Sequence, residues 1–213
     1  MCPLPAAESV DLLEWIHSLI LVCTRCRLSQ SRRNAVPGEG NPKAALMLVG
    51  EAPGSAEDAQ GRPFVGAAGQ LLTTLLAEIG VNRGEVFIAN VVKCRPAGNR
   101  DPQEDEIAAC HDYLVGQIAC IKPKVIAALG RHAMYSLISP ELSISRVHGR
   151  HFFQQGIFFI PIFHPAFALH DESRRGLLRE DMRALKRLLI ETGVATSPPG
   201  GGDEAQQTRL REE

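Results

Sequence analysis

Four short apolar runs constrain the fold of this chain more than any other feature. They span residues 44–49, 86–92, 125–129 and 157–163, and each is dominated by aliphatic or aromatic side chains. Continuous runs of this kind are typical of strands buried on both faces of a parallel sheet. Because parallel strands need long crossover connections, usually helices, the runs predict an α/β fold.

The segments around and between these runs carry apolar residues at helical spacing. The predicted helices cover residues 8–22, 66–79, 101–120, 131–138 and 177–190. Pro102 is expected at the first position of the third helix, where the missing N–H costs nothing, and residues 154–156 predict a hairpin turn. Together these elements predict a three-layer α/β/α sandwich with a central, mainly parallel four-stranded sheet. Ligands of such sheets bind beyond the carboxyl ends of the strands.

The 213 residues suit one domain over residues 1–195, followed by a disordered tail at 196–213 that begins with a Pro- and Gly-rich stretch. No apolar stretch approaches the roughly 20 residues of a membrane helix, and no signal peptide is evident. We therefore expect a cytoplasmic monomer without a membrane partner. The net charge of −1 does not by itself indicate nucleic-acid binding, so any basic surface must be local.

Four of the six cysteines form a C-x2-C pair followed by two distant single thiols, at Cys23, Cys26, Cys94 and Cys110. In a chain without a secretion signal, such cysteines serve metal binding or catalysis more often than disulfides. Four thiolates suit either a tetrahedral zinc ion or an iron–sulfur cluster, and the spacing does not choose between them. Scattered cysteines acting as small buried hydrophobes are the simpler alternative.

Two further cysteines are left out of this ligand set. Cys110 shares a helical stripe with Ile107 and Leu114 and is expected to face inward, whereas Cys120 is rotated about 80° from that stripe. Cys2 lies at the extreme N-terminus, which is expected to be unstructured.

The segment after the first apolar run carries two glycine-rich turns. Residues 50–54 read GEAPG, Glu57 and Asp58 follow, and residues 61–66 read GRPFVG. These turns would present backbone N–H groups, a carboxylate pair and one aromatic ring. A phosphate-binding loop is a competing interpretation, but the lysine and hydroxyl of G-x4-G-K-[ST] are absent. The carboxylates are also compatible with simple helix N-terminal charges.

With these blocks the chain resembles the family-4 uracil-DNA glycosylases, the iron–sulfur branch of the uracil-DNA glycosylase superfamily. The resemblance covers about residues 10–190. It rests on residues 23–26, 50–58, 61–66, 90–96 (NVVKCRP), 99–100, Cys110, 123–125 and 164–166 (HPA). It implies that Cys23, Cys26, Cys94 and Cys110 hold a [4Fe–4S] cluster. It also implies uracil-containing DNA as the partner and hydrolysis of the N-glycosidic bond of uracil as the reaction.

The resemblance assigns substrate-binding roles to four residues. Phe64 stacks on the extruded base, and Asn90 reads uracil O4 and N3–H. Glu51 crowds the methyl group that distinguishes thymine, and the amide of Ala52 contacts the base.

Catalytic roles are implied for three further residues. His164 donates a hydrogen bond to uracil O2, where negative charge develops. Glu57 supplies a carboxylate near the sugar or the attacking water, with Asp58 as the reserve candidate. All these roles require Phe64, Asn90 and His164 to converge on one cavity.

Two alternatives remain at this point. One is a uracil-DNA binding or polymerase-associated module without turnover, and the other is a zinc-stabilised α/β nucleotide hydrolase. Residues 94–101 are too few for the extra loop of a covalent-trapping relative, which favours turnover. After residues 164–166 the sequence departs from the leucines and arginine usual in the family, and Phe167 or Leu169 is left to fill the hole of the flipped base.

Overall fold

A computed structural model describes the backbone of residues 6–194 and the side chains of residues 10–194. Cys2 and the tail predicted at 196–213 lie outside the described residues. Six strands form one sheet in the order β1-β3-β2-β4-β6-β5. Their bounds are β1 Glu39–Gly40, β2 Leu46–Gly50, β3 Phe87–Asn90, β4 Val125–Leu129, β5 Phe152–Gln154 and β6 Ile157–Ile162.

The four central strands are the four predicted apolar runs, and they are mutually parallel. The prediction of four strands is wrong at the edges, because β1 and β5 add antiparallel pairs and make the sheet mixed. β1 has only two residues, Glu39 and Gly40, and therefore carries no apolar signal. β5 is largely exposed and is joined to β6 by the predicted turn at Gln155 and Gly156.

Helices cover both faces of this sheet. Their bounds are α1 Ala6–Leu21, α2 Ser55–Gln60, α3 Ala67–Glu78, α4 Glu104–Ile121, α5 Arg131–Leu137, α6 Ile144–Val147 and α7 Glu172–Glu191. Successive side chains of β2 alternate between the two cores. Met47 and Val49 pack with α1, α4 and α5, whereas Leu46 and Leu48 pack with α3 and α7. The three-layer α/β/α architecture is thus confirmed.

Several helix starts differ from the prediction because capping side chains set them. α4 begins at Glu104, where the Glu106 carboxylate accepts the backbone N–H of the N-cap residue Gln103, so the placement of Pro102 inside the helix is wrong. α7 begins before the predicted residue 177, because the Asp171 carboxylate accepts the backbone N–H groups of Ser173 and Arg174. No helix among the described residues combines the length and apolarity needed to cross a bilayer.

Candidate active site and cysteine site

A cavity of about 310 Å³ lies beyond the carboxyl ends of β2, β3 and β6. It is lined by Glu51, Ala52, Pro53, Gly54, Glu57, Phe64, Ala68, Asn90, Pro96, Asn99, Arg100, His164 and Ala166. The structure therefore brings together three segments that are far apart in sequence, at the edge of the sheet where α/β proteins bind ligands.

Gly50 allows an aromatic ring and an amide to approach each other at the base of this cavity. A Cβ atom on Gly50 would lie 2.5 Å from Asn90 Oδ1 and 2.7 Å from Phe64 Cζ, distances that real Cβ contacts do not reach. Gly69 of α3 similarly lets the Phe64 backbone pack closely, since a Cβ there would lie 1.9 Å from the Phe64 carbonyl oxygen. Phe64 itself has a φ of +51°, which is rare for an aromatic residue and is held by this packing.

The carboxamide of Asn90 is buried and incompletely satisfied. The residue is 2% exposed, and its Oδ1 is the one buried side-chain polar atom without a hydrogen-bond partner in the described part of the chain. Leaving such an atom unpaired costs about 1–3 kcal/mol. Because Asn90 lines the cavity, the missing partner is expected on a bound ligand.

His164 is set up as a neutral hydrogen-bond donor. Its Nδ1 accepts the backbone N–H of Ala166 at 3.2 Å, which places the proton of the neutral ring on Nε2. Burial lowers the pKa of His164 to about 4, although the nearby Glu57 carboxylate acts in the opposite direction. The ring lies 5.7 Å from that of Phe64, centroid to centroid. At neutral pH the imidazole is therefore uncharged and retains an N–H to offer.

Glu57 lines the cavity and also connects two loops through hydrogen bonds. Its Oε1 accepts the N–H groups of Val65 and Gly66 at 2.9 and 2.8 Å, and its Oε2 accepts that of Gly54 at 3.1 Å. One carboxylate thus ties the GEAPG loop to the GRPFVG loop. With two lone-pair directions per oxygen, Oε1 is saturated and Oε2 has one left.

Asp58, the reserve carboxylate, does not line the cavity. It is 4% exposed, and its Oδ1 accepts the backbone N–H groups of Arg33 and Asn34 at 2.9 and 3.4 Å. Asp58 thus anchors the chain that leads to β1. This geometry removes the basis for a catalytic role.

A charged cluster on the rim of the cavity was missed by the sequence reasoning. His132 Nε2 lies 3.9 Å from Glu51 Oε2 and 3.4 Å from Asp101 Oδ2, and Arg131 pairs with Asp101. Burial raises the pKa of Glu51, and the Coulombic effect of His132 opposes this shift. Arg131 and His132 directly follow Gly130 at the carboxyl end of β4, so the topology rule was the signal that could have found them.

The four predicted ligand cysteines line a second, small cavity. Cys23 and Cys26 follow α1, Cys94 follows β3 and Cys110 lies on α4, with Arg32 and Lys93 beside them. Cys120 is absent from this lining because ten helical residues carry it about 15 Å from Cys110 along α4. All five cysteines in the described residues are free thiols.

The donor set suits either metal considered for it, because four cysteine thiols border one cavity and four thiolates bind a zinc ion or an iron–sulfur cluster.

The surroundings of the sulfurs suit bound thiolates. Arg32 Nη1 donates to Cys94 Sγ at 3.0 Å, and the Lys93 backbone N–H donates to Cys110 Sγ at 3.4 Å. Burial raises the pKa of Cys110 to about 11 and raises that of Cys94 despite Arg32. A metal group must therefore displace protons from these thiols, as structural metal sites do.

Several known proteins are similar to this chain over most of its length. A family model described as the uracil DNA glycosylase superfamily matches residues 37–187. The Type-4 uracil-DNA glycosylase of Sulfurisphaera tokodaii is 50% identical over 190 residues, which cover 85% of this chain and 86% of that protein. That of Saccharolobus solfataricus is 44% identical over 209 residues, 93% and 97% of the two chains. That of Pyrobaculum aerophilum is 46% identical over 179 residues, which cover 80% of this chain and 91% of that protein.

Proposed function

The chain belongs to the uracil DNA glycosylase superfamily, and we propose that it removes uracil from DNA by hydrolysing the N-glycosidic bond and leaves an abasic site. The observation that carries this proposal is the buried, unpaired carboxamide of Asn90 beside the Phe64 ring. A carboxamide donates and accepts at once, and uracil offers the complement, an O4 acceptor next to an N3–H donor. Cytosine presents the opposite pattern and would leave buried groups unpaired.

The cavity suits a base taken out of the duplex. A base inside the helix cannot reach an enclosed site, so the nucleotide must be extruded and then held by stacking and by its hydrogen-bonding edge. Phe64 supplies the stacking face, Asn90 reads the edge, and the amide of Ala52, which also lines the cavity, is proposed to contact the base. Glu51, on the rim, is proposed to exclude the C5 methyl group of thymine.

Cleavage of the bond moves its electron pair onto uracil N1 and leaves positive character on the sugar. Negative charge then spreads to uracil O2, where we assign the N–H of neutral His164 as the stabilising donor. The neutral ring holds its proton at Nε2 while the anion leaves. Water adds to the sugar carbon and loses a proton, and the remaining lone pair of Glu57 Oε2 is proposed to stabilise the sugar or to accept that proton.

We propose a [4Fe–4S] cluster as the group held by Cys23, Cys26, Cys94 and Cys110. When bound, the cluster would supply a rigid, charged link between the end of α1, the segment after β3 and α4. The same segment after β3 continues to Asn99 and Arg100 in the cavity lining. Cytoplasmic action as a monomer is part of the proposal.

Incubation with a uracil-containing oligonucleotide, followed by alkali to cut abasic sites, tests the function. Iron and acid-labile sulfide are determined on the same sample. We expect strand scission at the uracil position by a brown, iron-containing protein. Binding without scission would favour the module without turnover, and a colourless zinc protein active on free nucleotides would favour the hydrolase.

The cysteine assignment makes a paired prediction. Cys110→Ser is expected to lose most of the bound iron, because serine does not replace a thiolate ligand at this site. Cys120→Ser, on the same helix, is expected to keep the iron content and visible absorbance of the wild type. Bleaching of the Cys120→Ser protein would show that the ligand set is wrong.

The neutral state of His164 predicts an unusual pH response. The folded pKa of about 4 lies below the ordinary value of 6.5, so the folded ring stays neutral between these values while the unfolded chain takes up a proton. The single-turnover excision rate should therefore show no inflection near pH 6.5. Thermal stability should fall as the pH drops from 6.5 towards 4, with the half-buried His17, whose pKa is also lowered to about 4, acting in the same direction. An excision rate that falls by half near pH 6.5 in every buffer used would contradict the assignment of neutral His164 as the donor.

A further inference from the structure

Lys93 is a buried cation for which the proposed function has no role so far. The residue is 1% exposed, and its Nζ donates to the backbone carbonyl of Asn90 at 2.8 Å and to Gln117 Oε1 at 2.7 Å. No carboxylate lies within 4.0 Å of this ammonium in the part of the chain with described side chains. A buried charge without a counter-ion is costly, so its compensation must come from another group.

Lys93 also borders the cavity that the four cysteines line. Cys94 is its neighbour in sequence, and the Lys93 backbone N–H already donates to Cys110 Sγ. An iron–sulfur group held by four thiolates carries net negative charge, which would stabilise the ammonium in place.

The other end of the same side chain touches the base-reading residue. At the end of β3 the Val91 N–H bonds to Gly50, whereas the Asn90 carbonyl accepts the Lys93 ammonium. Gln117 is itself fixed, because its Nε2 donates to the Pro37 carbonyl at 2.8 Å. Lys93 is therefore held between α4, the cysteine site and the backbone of Asn90.

We propose that Lys93 is the positioning residue of Asn90 and links the cysteine site to uracil recognition, because its backbone N–H contacts Cys110 Sγ and its ammonium contacts the Asn90 carbonyl. The part of this inference that concerns uracil recognition rests on the proposed function. Lys93 does not touch the substrate and acts through Asn90. Loss of the ammonium should misplace the Asn90 carboxamide and also change the electrostatic field at the cluster.

Lys93→Met tests both the positioning of Asn90 and the link to the cysteine site, since methionine is neutral and of similar length. We expect single-turnover uracil excision to slow by about 10- to 100-fold, the range for a lost charged hydrogen bond at a positioned group. The affinity for an oligonucleotide without uracil should stay within about twofold, because no phosphate contact is removed. The reduction potential of the cluster should shift to more negative values, because a nearby positive charge is gone.

Lys43→Met, at an exposed site, is the matched control and should change none of these quantities. If either the excision rate or the reduction potential of Lys93→Met stays at the wild-type value, the coupling is refuted. Should Lys93→Met fail to fold, Gln117→Met removes one acceptor of the same ammonium and keeps the charge. It is expected to slow excision about 10-fold, and an unchanged rate there would equally overturn the proposal. Wild-type protein that excises no uracil would refute the proposed function. The shift in the reduction potential of Lys93→Met would still test the link between Lys93 and the cysteine site.

Discussion

Replacing Asn90 with Asp is expected to slow single-turnover uracil excision by about 1,000-fold or more, the scale on which polar pockets reject a mismatched partner. The buried carboxamide donates and accepts, whereas an ionised carboxylate only accepts and would face uracil O4 with like polarity. The ionised carboxylate can instead accept a hydrogen bond from the amino group of cytosine. We therefore expect weak excision of cytosine to appear. Rates on matched oligonucleotides containing uracil or cytosine provide the measurement.

Asn82→Asp is the control for this substitution. Asn82 is exposed and caps a short helical turn by accepting the Gly84 N–H, a role that aspartate fills equally well. Its excision rate should match that of the wild type. An Asn90→Asp protein that keeps the wild-type rate on uracil would remove Asn90 from base recognition.

His164→Ala is expected to lower the excision rate by about 100- to 1,000-fold, as the loss of one oxyanion donor does in other enzymes. The effect should fall on the chemical step, because the donor matters most when charge develops on uracil O2. Single-turnover rates at saturating protein measure this step directly. Affinity for DNA that carries no uracil should change little.

His170→Ala provides the comparison, because His170 is exposed and lies in the segment that follows the cavity-lining residues 164–166. We expect its rate to equal that of the wild type. A thermal unfolding midpoint for His164→Ala close to that of the wild type would separate lost chemistry from lost folding. A loss of less than about fivefold would assign the stabilising donor to another group.

The two neighbouring carboxylates illustrate where sequence reasoning stops. Glu57 and Asp58 differ by about 100° around a short helix, so only one can face the cavity. Their residue types and motif position do not distinguish them. The packing of α2 distinguishes them. It places Glu57 against the loops at residues 50–54 and 61–66, and Asp58 against the backbone of Arg33 and Asn34.

The ligand cysteines were separable because helical geometry is local. Ten residues along one helix give both a rotation and a distance, so Cys120 and Cys110 could not share one site. The sequence did not distinguish zinc from an iron–sulfur cluster, since that choice depends on distances between sulfur atoms from three segments. Lys93 and Gln117 gave no signal either, because a lysine in an apolar segment does not reveal its partners.

The sequence by itself determined the central strands, the two-faced packing of the sheet and the edge at which the candidate cavity lies. These follow from apolar periodicity and from the direction of parallel strands, which are properties of short segments. The tertiary structure alone decided the edge strands, the cap-defined helix starts, the orphaned amide of Asn90 and the buried ammonium that supports it. Each of these depends on which hydrogen-bond partners remain once distant segments have packed, and no local pattern encodes that balance.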